Sequence, residues 1–101
     1  MYTPKIALLS SQIKQIVFSA HKHLPDASIF LFGSRVKGTA RVTSDVDIAL
    51  KNVDIIPSEI LQEMKTELEE KLPFFVDVVD LRNLSDSFYA HIKDDLVEIN
   101  E

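Results

Sequence analysis

The chain has no cysteine among its 101 residues. That excludes a disulfide framework and any cysteine-ligated metal centre. It has no apolar run near the ~20 residues needed to cross a bilayer. Its opening, MYTPKIALLSSQ, holds only a short apolar patch and lacks the layout of a signal peptide. A cytoplasmic protein with no membrane association is therefore expected. Asn83-Leu84-Ser85 matches a glycosylation sequon, which carries no meaning without secretion. Positive charge is also scarce, with 11 Lys and Arg against 16 Asp and Glu for a net charge of −5. Gripping a long phosphate backbone needs a basic patch or stripe, so stable binding to duplex DNA is not expected. Glycine occurs twice, at positions 33 and 38.

What remains is an ordinary globular composition, 46% hydrophobic and 27% charged. The length suits one domain over residues 1–101. Ile6, Leu9, Ile13, Ile16, Val17, Ala20 and Leu24 recur at spacings of three and four, which predicts an amphipathic helix over residues 4–24. Pro4 suits its first turn, and Pro25 ends it. His21 and His23 lie on different sides of that helix, so a metal pair is not expected there, and a solvated last turn is. Residues 27–32 read as a strand apolar almost throughout, as a strand covered on both faces should be. Gly33 turns the chain, and Ser34 is placed to cap a short helix over residues 35–37 that Gly38 closes. A second strand is expected over residues 45–51 and a second helix from Pro57 or Ser58 to Leu72. That helix has Ile60, Leu61, Met64, Leu68 and Leu72 on its apolar stripe. Its other face carries Glu59, Glu63, Lys65, Glu67, Glu69, Glu70 and Lys71 and reads as solvated. Residues 74–80 read as a third strand. Ser85 is placed to cap a last helix, and residues 96–99 read as a short terminal strand. The second strand, helix and third strand form a β-α-β unit, whose crossover is right-handed when its strands are parallel neighbours.

The chemistry concentrates in Gly33-Ser-Arg-Val-Lys-Gly-Thr-Ala-Arg-Val-Thr-Ser-Asp-Val-Asp47. On a strand, Asp45 and Asp47 share a face, with Cα atoms roughly 6.5–7 Å apart. Two carboxylates that close repel each other and resist burial unless a cation compensates. Hard oxygen ligands of this kind suit Mg²⁺. The Gly-Ser turn can face a phosphate with its backbone N–H groups. Arg35, Lys37 and Arg41 form a local basic loop, suited to a small polyanion such as a nucleoside triphosphate; the alternative is a merely solvated loop. Gly33 to Thr39 lacks the lysine of a P-loop, and Ala49 and Leu50 break an EF-hand pattern. Asp77 stands out as a carboxylate in an apolar strand, where a partner is required. It is either salt-bridged or a third metal carboxylate. Asp80, at the strand end, suits a cap or turn. If the β-α-β strands are neighbours, Asp77 comes beside Asp45 and Asp47. Such a cluster is costly without metal, and two Mg²⁺ ions about 3.5–4 Å apart would relieve it.

Gly-Ser, Arg35, Gly38 and the Asp-x-Asp at this spacing resemble the nucleotidyltransferases of the DNA polymerase β superfamily. The small size resembles the minimal nucleotidyltransferases, often encoded beside a helical HEPN-domain protein. The resemblance covers nearly the whole chain. It implies an α/β (α+β) fold with a small mixed sheet of three to four strands flanked by helices. It also implies that Asp45 and Asp47 hold both Mg²⁺ ions and that Asp77 helps hold the catalytic one. Gly33, Ser34 and the Arg35 backbone would cradle the β- and γ-phosphates, with Arg35, Lys37 and Arg41 balancing charge. Asp77 is the candidate for taking the acceptor's proton. Relatives look like antitoxins, and some transfer AMP from ATP to a tyrosine of the HEPN partner. The competing reading is a non-catalytic nucleotide-binding or toxin-sequestering module. No acceptor domain follows the third strand, so a partner protein or a homo-oligomer is expected.

Overall fold

The computed structural model describes residues 6–41 and 43–100. Helix α1 (Ser10–His23) leads into strand β1 (Ser28–Phe32) and a one-turn helix α2 (Ser34–Lys37). Strand β2 (Val46–Lys51), helix α3 (Ser58–Lys71) and strand β3 (Val76–Asp80) follow. A 3-10 turn (Leu81–Asn83), helix α4 (Asp86–Ile92), a second 3-10 turn (Lys93–Asp95) and strand β4 (Val97–Ile99) complete the described chain. The expected elements are present, with each strand a residue or two shorter than expected and α1 shortened further. Residues 6–9 are not helical, so α1 starts later than its apolar spacing suggested. Leu9 is extended, and its N–H donates to Gln12 Oε1 at 2.9 Å. Pro4 lies outside the described residues. Ser85 caps α4 as expected, its hydroxyl accepting from the Phe88 N–H.

The four strands form one mixed sheet in the order β3-β2-β1-β4. Strand β1 runs antiparallel to β2 and β4, while β2 and β3 are parallel. Alternation along the strands divides the core. Ile29, Leu31, Val46, Ile48, Leu50 and Val76 pack with Ile16, Val17 and Ala20 of α1 and Met64 and Leu68 of α3. The opposite face is covered more thinly, by Phe32, Ala49 and Ile92. There Phe88 of α4 meets Phe32 edge-on at 6.2 Å. Strand β1 is thus packed on both faces, which explains its near-continuous apolar sequence.

The supposedly solvated face of α3 is in fact tied down at two points. Glu67 Oε2 pairs with His23 Nε2 at 2.8 Å and Oε1 lies 3.5 Å from Lys22 Nζ, which clamps α3 to the last turn of α1. His23 is therefore not in a solvated last turn; its side chain is only 12% exposed. Further along, Glu69 accepts from the Val76 N–H at 2.8 Å and from Lys65 Nζ at 2.9 Å. Lys65 also donates to the Val76 carbonyl at 2.6 Å. Helical periodicity identifies a polar face but not the neighbours that meet its edges.

The hydrogen bond from His23 holds the Glu67 carboxyl below its ordinary range, with burial opposing it. A depressed carboxylate stabilises the fold above its unfolded pKa and loses that contribution as pH falls through its folded value. His23→Ala is expected to destabilise by about 1 kcal/mol, a fall in Tm of about 4–8 °C for a domain of this size. The difference should be present at pH 7 in thermal melts and shrink below the ordinary carboxylate range.

Candidate active site

The site forms where the N-terminal ends of the parallel strands β2 and β3 meet the turn that leaves β1. Phe32 pairs with Asp47 across the antiparallel β1–β2 ladder. Gly33, the next residue, therefore turns directly against Asp47. Gly33 has φ 80° and ψ −159°, a conformation only glycine adopts without strain. A Cβ there would collide with Asp47 Oδ2. Gly33 thus supplies both the turn and the space for the carboxylate. Gly33 also occupies the cap position of α2, so Ser34 is its first helical residue and makes no capping bond. Gly38, in the left-handed conformation, closes α2 as expected.

Asp47 and Asp77 are Cα partners in the parallel β2–β3 ladder. Val46, Ile48 and Val76 are fully buried against the helices, so Asp45, Asp47 and Asp77 project from the other face. Asp45 and Asp77 are exposed, while Asp47 is partly buried between them and the turn. Burial first, then the charges of Asp77 and Asp45, push the Asp47 carboxyl up from 3.8 to about 6. A carboxylate so disfavoured is relieved either by a proton or by a nearby positive charge. Among the described residues, no three His, Cys, Asp or Glu side chains are drawn together closely enough to hold a metal ion. The donors nevertheless fit Mg²⁺: they are hard oxygens, the central one is electrostatically strained, and the glycine leaves the approach open.

Two of the expected basic residues are engaged elsewhere. Arg35, expected in a solvated loop, is buried, with 6% exposure. Its Nη1 donates to the Ala7 carbonyl at 3.0 Å and its Nη2 to the Ser44 carbonyl at 2.7 Å. Its guanidinium stacks over the Phe74 ring at 4.2 Å. The Ala7 N–H returns a bond to the Arg35 carbonyl at 2.8 Å. Lys37 is exposed and pairs with Asp95 at 3.2 Å. Arg41 is exposed, and its backbone N–H donates to Ser44 Oγ at 2.7 Å. Asp80 is a cap, as expected, and a buried one: it accepts from the N–H groups of Arg82 and Ile56. The Lys65–Glu69 pair that anchors the start of β3 escaped the sequence reading. Its only sequence signal is a Lys–Glu spacing of four on one helix face.

A glycine turn, an Asp-x-Asp and a third aspartate on the neighbouring parallel strand define a nucleotidyltransferase fold. The family description "polymerase beta, nucleotidyltransferase" matches residues 11–101, and the chain belongs to that family. It is 32% identical over 100 residues to the probable protein adenylyltransferase MntA of Haemophilus influenzae, an alignment covering 96% of this chain and 80% of that protein. Among solved structures, a toxin–antitoxin complex with AMP-PNP contains a similar chain, with a TM-score of 0.78 and 29% identity over 85% of this chain and 70% of that one. The MNT antitoxin in complex with the tri-AMPylated HEPN toxin of Shewanella oneidensis is also similar, with a TM-score of 0.73 and 26% identity over 87% of this chain and 68% of that one. Among the described residues, no helix is long and apolar enough to cross a membrane.

Proposed function

We propose that this protein transfers AMP from ATP to a hydroxyl group of a helical HEPN-type partner in the cytoplasm, and so acts as the antitoxin of a toxin–antitoxin pair. The observation that carries the proposal is the pairing of Asp47 with Asp77 across β2 and β3, directly beside the Gly33 turn. The relatives' names and the AMPylated toxin complex support the choice of nucleotide and acceptor.

In this reading Asp45, Asp47 and Asp77 would hold Mg²⁺. When bound, Mg²⁺ would supply the charge neutralisation and hydroxyl activation that in-line phosphoryl chemistry requires. Gly33 and Ser34 present the turn that receives the β- and γ-phosphates. Lys37, released from Asp95, and Arg41 are the exposed cations available to balance them. Arg35 contributes by holding the turn, because its guanidinium is already engaged. The acceptor oxygen forms a bond to the α-phosphorus as the bond to the β-phosphate bridging oxygen breaks. Pyrophosphate leaves on the side of the turn, and Asp77 takes the acceptor's proton. The fixed charges of such a site act mainly through positioning and electrostatics.

The test uses Mg²⁺, labelled ATP and a HEPN-type helical protein encoded beside this one. An adenylyl mass should appear on the partner at a tyrosine, and Asp77→Asn should lower the rate by about 10²-fold or more without preventing association. If Asp77→Asn and wild type neutralise the partner equally with no mass added, the protein is a sequestering module. Label on an RNA 3′ end would instead retain the enzyme and reject the protein acceptor.

A further inference from the structure

Phe75 is 73% exposed although it stands beside the aspartates. The parallel register pairs Val46 with Val76, which sets Phe75 opposite Asp45. The Val46 N–H donates to the Phe75 carbonyl at 3.0 Å, so the ladder extends to this residue. Val76 is fully buried against the helices, and alternation therefore turns Phe75 and Asp77 to the same open face. A cleft of about 340 Å³ beside the ring is walled by Glu69 and Leu72 at the end of α3 and by Phe74, on the helix side of the sheet. Nothing in the core requires an aromatic residue here. An exposed ring at the rim of a site is the kind of side chain that anchors a partner.

The direction of the reaction says which ligand it meets. In phosphoryl transfer the entering and leaving oxygens lie roughly in line through phosphorus. The Gly33–Ser34 turn leaves β1, Asp47 stands on β2 and Asp77 on β3, in the strand order β3-β2-β1. With pyrophosphate leaving over the turn, the entering hydroxyl must come from the β3 side. Phe75 lies on that side.

We propose that Phe75 seats the acceptor, with its ring packed against the tyrosine ring of the partner segment that receives AMP. This rests on the transfer reading above and assigns its acceptor-binding element. An offset or edge-on aromatic pair, together with the apolar area it covers, accounts for about a tenfold effect on acceptor affinity.

The experiment measures initial rates with the full chain and its HEPN partner, varying partner and ATP separately. Phe75→Ala should raise the KM for the partner about tenfold and leave the KM for ATP unchanged, while Phe75→Tyr should stay within about twofold of wild type. Phe75 is exposed and outside the core, and a thermal melt of the variant checks that the fold is kept. A rise in the KM for ATP instead would mean that the ring stacks on the nucleobase and would overturn the proposal. So would an unchanged KM for the partner. Should wild type add no AMP to any protein, the transfer reading fails, and NMR titration with N-acetyl-tyrosinamide in the presence of Mg²⁺ and AMP-PNP decides the Phe75 contact alone. Shifts at Asp77 that vanish in Phe75→Ala would sustain it, and their absence would overturn it.

Discussion

Asp47→Asn is expected to reduce transfer by about 10³-fold or more and, at the same time, to make the metal-free protein more heat-stable above pH 6. The two effects have one cause. Asp47 is pressed between burial and two neighbouring carboxylates, which raise its carboxyl from 3.8 to about 6. A raised acid is harder to ionise in the folded state than in the unfolded chain. Folded stability therefore falls as pH rises from 3.8 towards 6, and the penalty is complete above that window. Asparagine carries no such penalty. In EDTA the variant should melt a few degrees above wild type at pH 7.5, and the difference should close as pH approaches 4. Mg²⁺ with ATP should reverse the order, because a ligand at 100 times its Kd stabilises by about 2.7 kcal/mol. Wild type gains that stabilisation and the variant does not. An equal response to Mg²⁺ and ATP in both proteins would remove Asp47 from the metal site.

The aspartate arrangement was legible because it depends on parity and handedness alone. Strand alternation places Asp45 and Asp47 on one face, and a β-α-β crossover brings Asp77 alongside. The observed register puts Asp77 opposite Asp47, and neither step needs knowledge of side-chain packing. The glycine turn was legible for a similar reason, since one backbone conformation and one close approach account for Gly33. Packing between distant segments was not legible. Lys65, Glu67 and Glu69 have the spacing of a solvated helix face, yet all three reach other elements, Glu67 to His23 of α1 and Lys65 and Glu69 to Val76 of β3. His23 lies in a helix end that sequence alone would leave in solvent. The short basic loop was the most ambiguous stretch. A sequence states that Arg35, Lys37 and Arg41 are close together, but not which of them turns inward.

The same physical picture explains why the aspartate face is so sparsely covered. The helical layer of α1 and α3 buries the other face of the sheet and supplies most of the core. The aspartate face has a smaller cluster, with Phe32, Ala49 and Ile92 buried and Phe30, Val79, Leu81, Leu84 and Leu96 partly buried against them. Stability thus resides mainly on one side of the sheet and chemistry on the other. Substitutions of the exposed Asp45 and Asp77 can then be read as effects on function, because neither side chain supports the core.

Arg35 is the exception, and its substitution should have the largest effect on stability of any residue near the site. It joins the segment before α1 through Ala7, the approach to β2 through Ser44 and the approach to β3 through Phe74. Ser44 immediately precedes Asp45, and Phe74 stands three residues before Asp77, so one side chain sets the origin of both aspartate strands. Arg35→Ala removes two charge-assisted bonds and a cation–π contact and strands two carbonyls, for an expected loss of roughly 3–5 kcal/mol. That corresponds to a fall in Tm of more than about 12 °C for a domain of this size. Arg35→Lys should recover little, because a single ammonium cannot span both carbonyls and stack on the ring as the planar guanidinium does. The measurement that decides is thermal melting alongside nucleotide binding. A Tm within about 2 °C of wild type, with binding weakened for ATP but not for AMP, would return Arg35 to the phosphates. The buried geometry predicts the opposite: a large loss of Tm, and, in whatever fraction remains folded at low temperature, equal proportional losses for ATP and AMP.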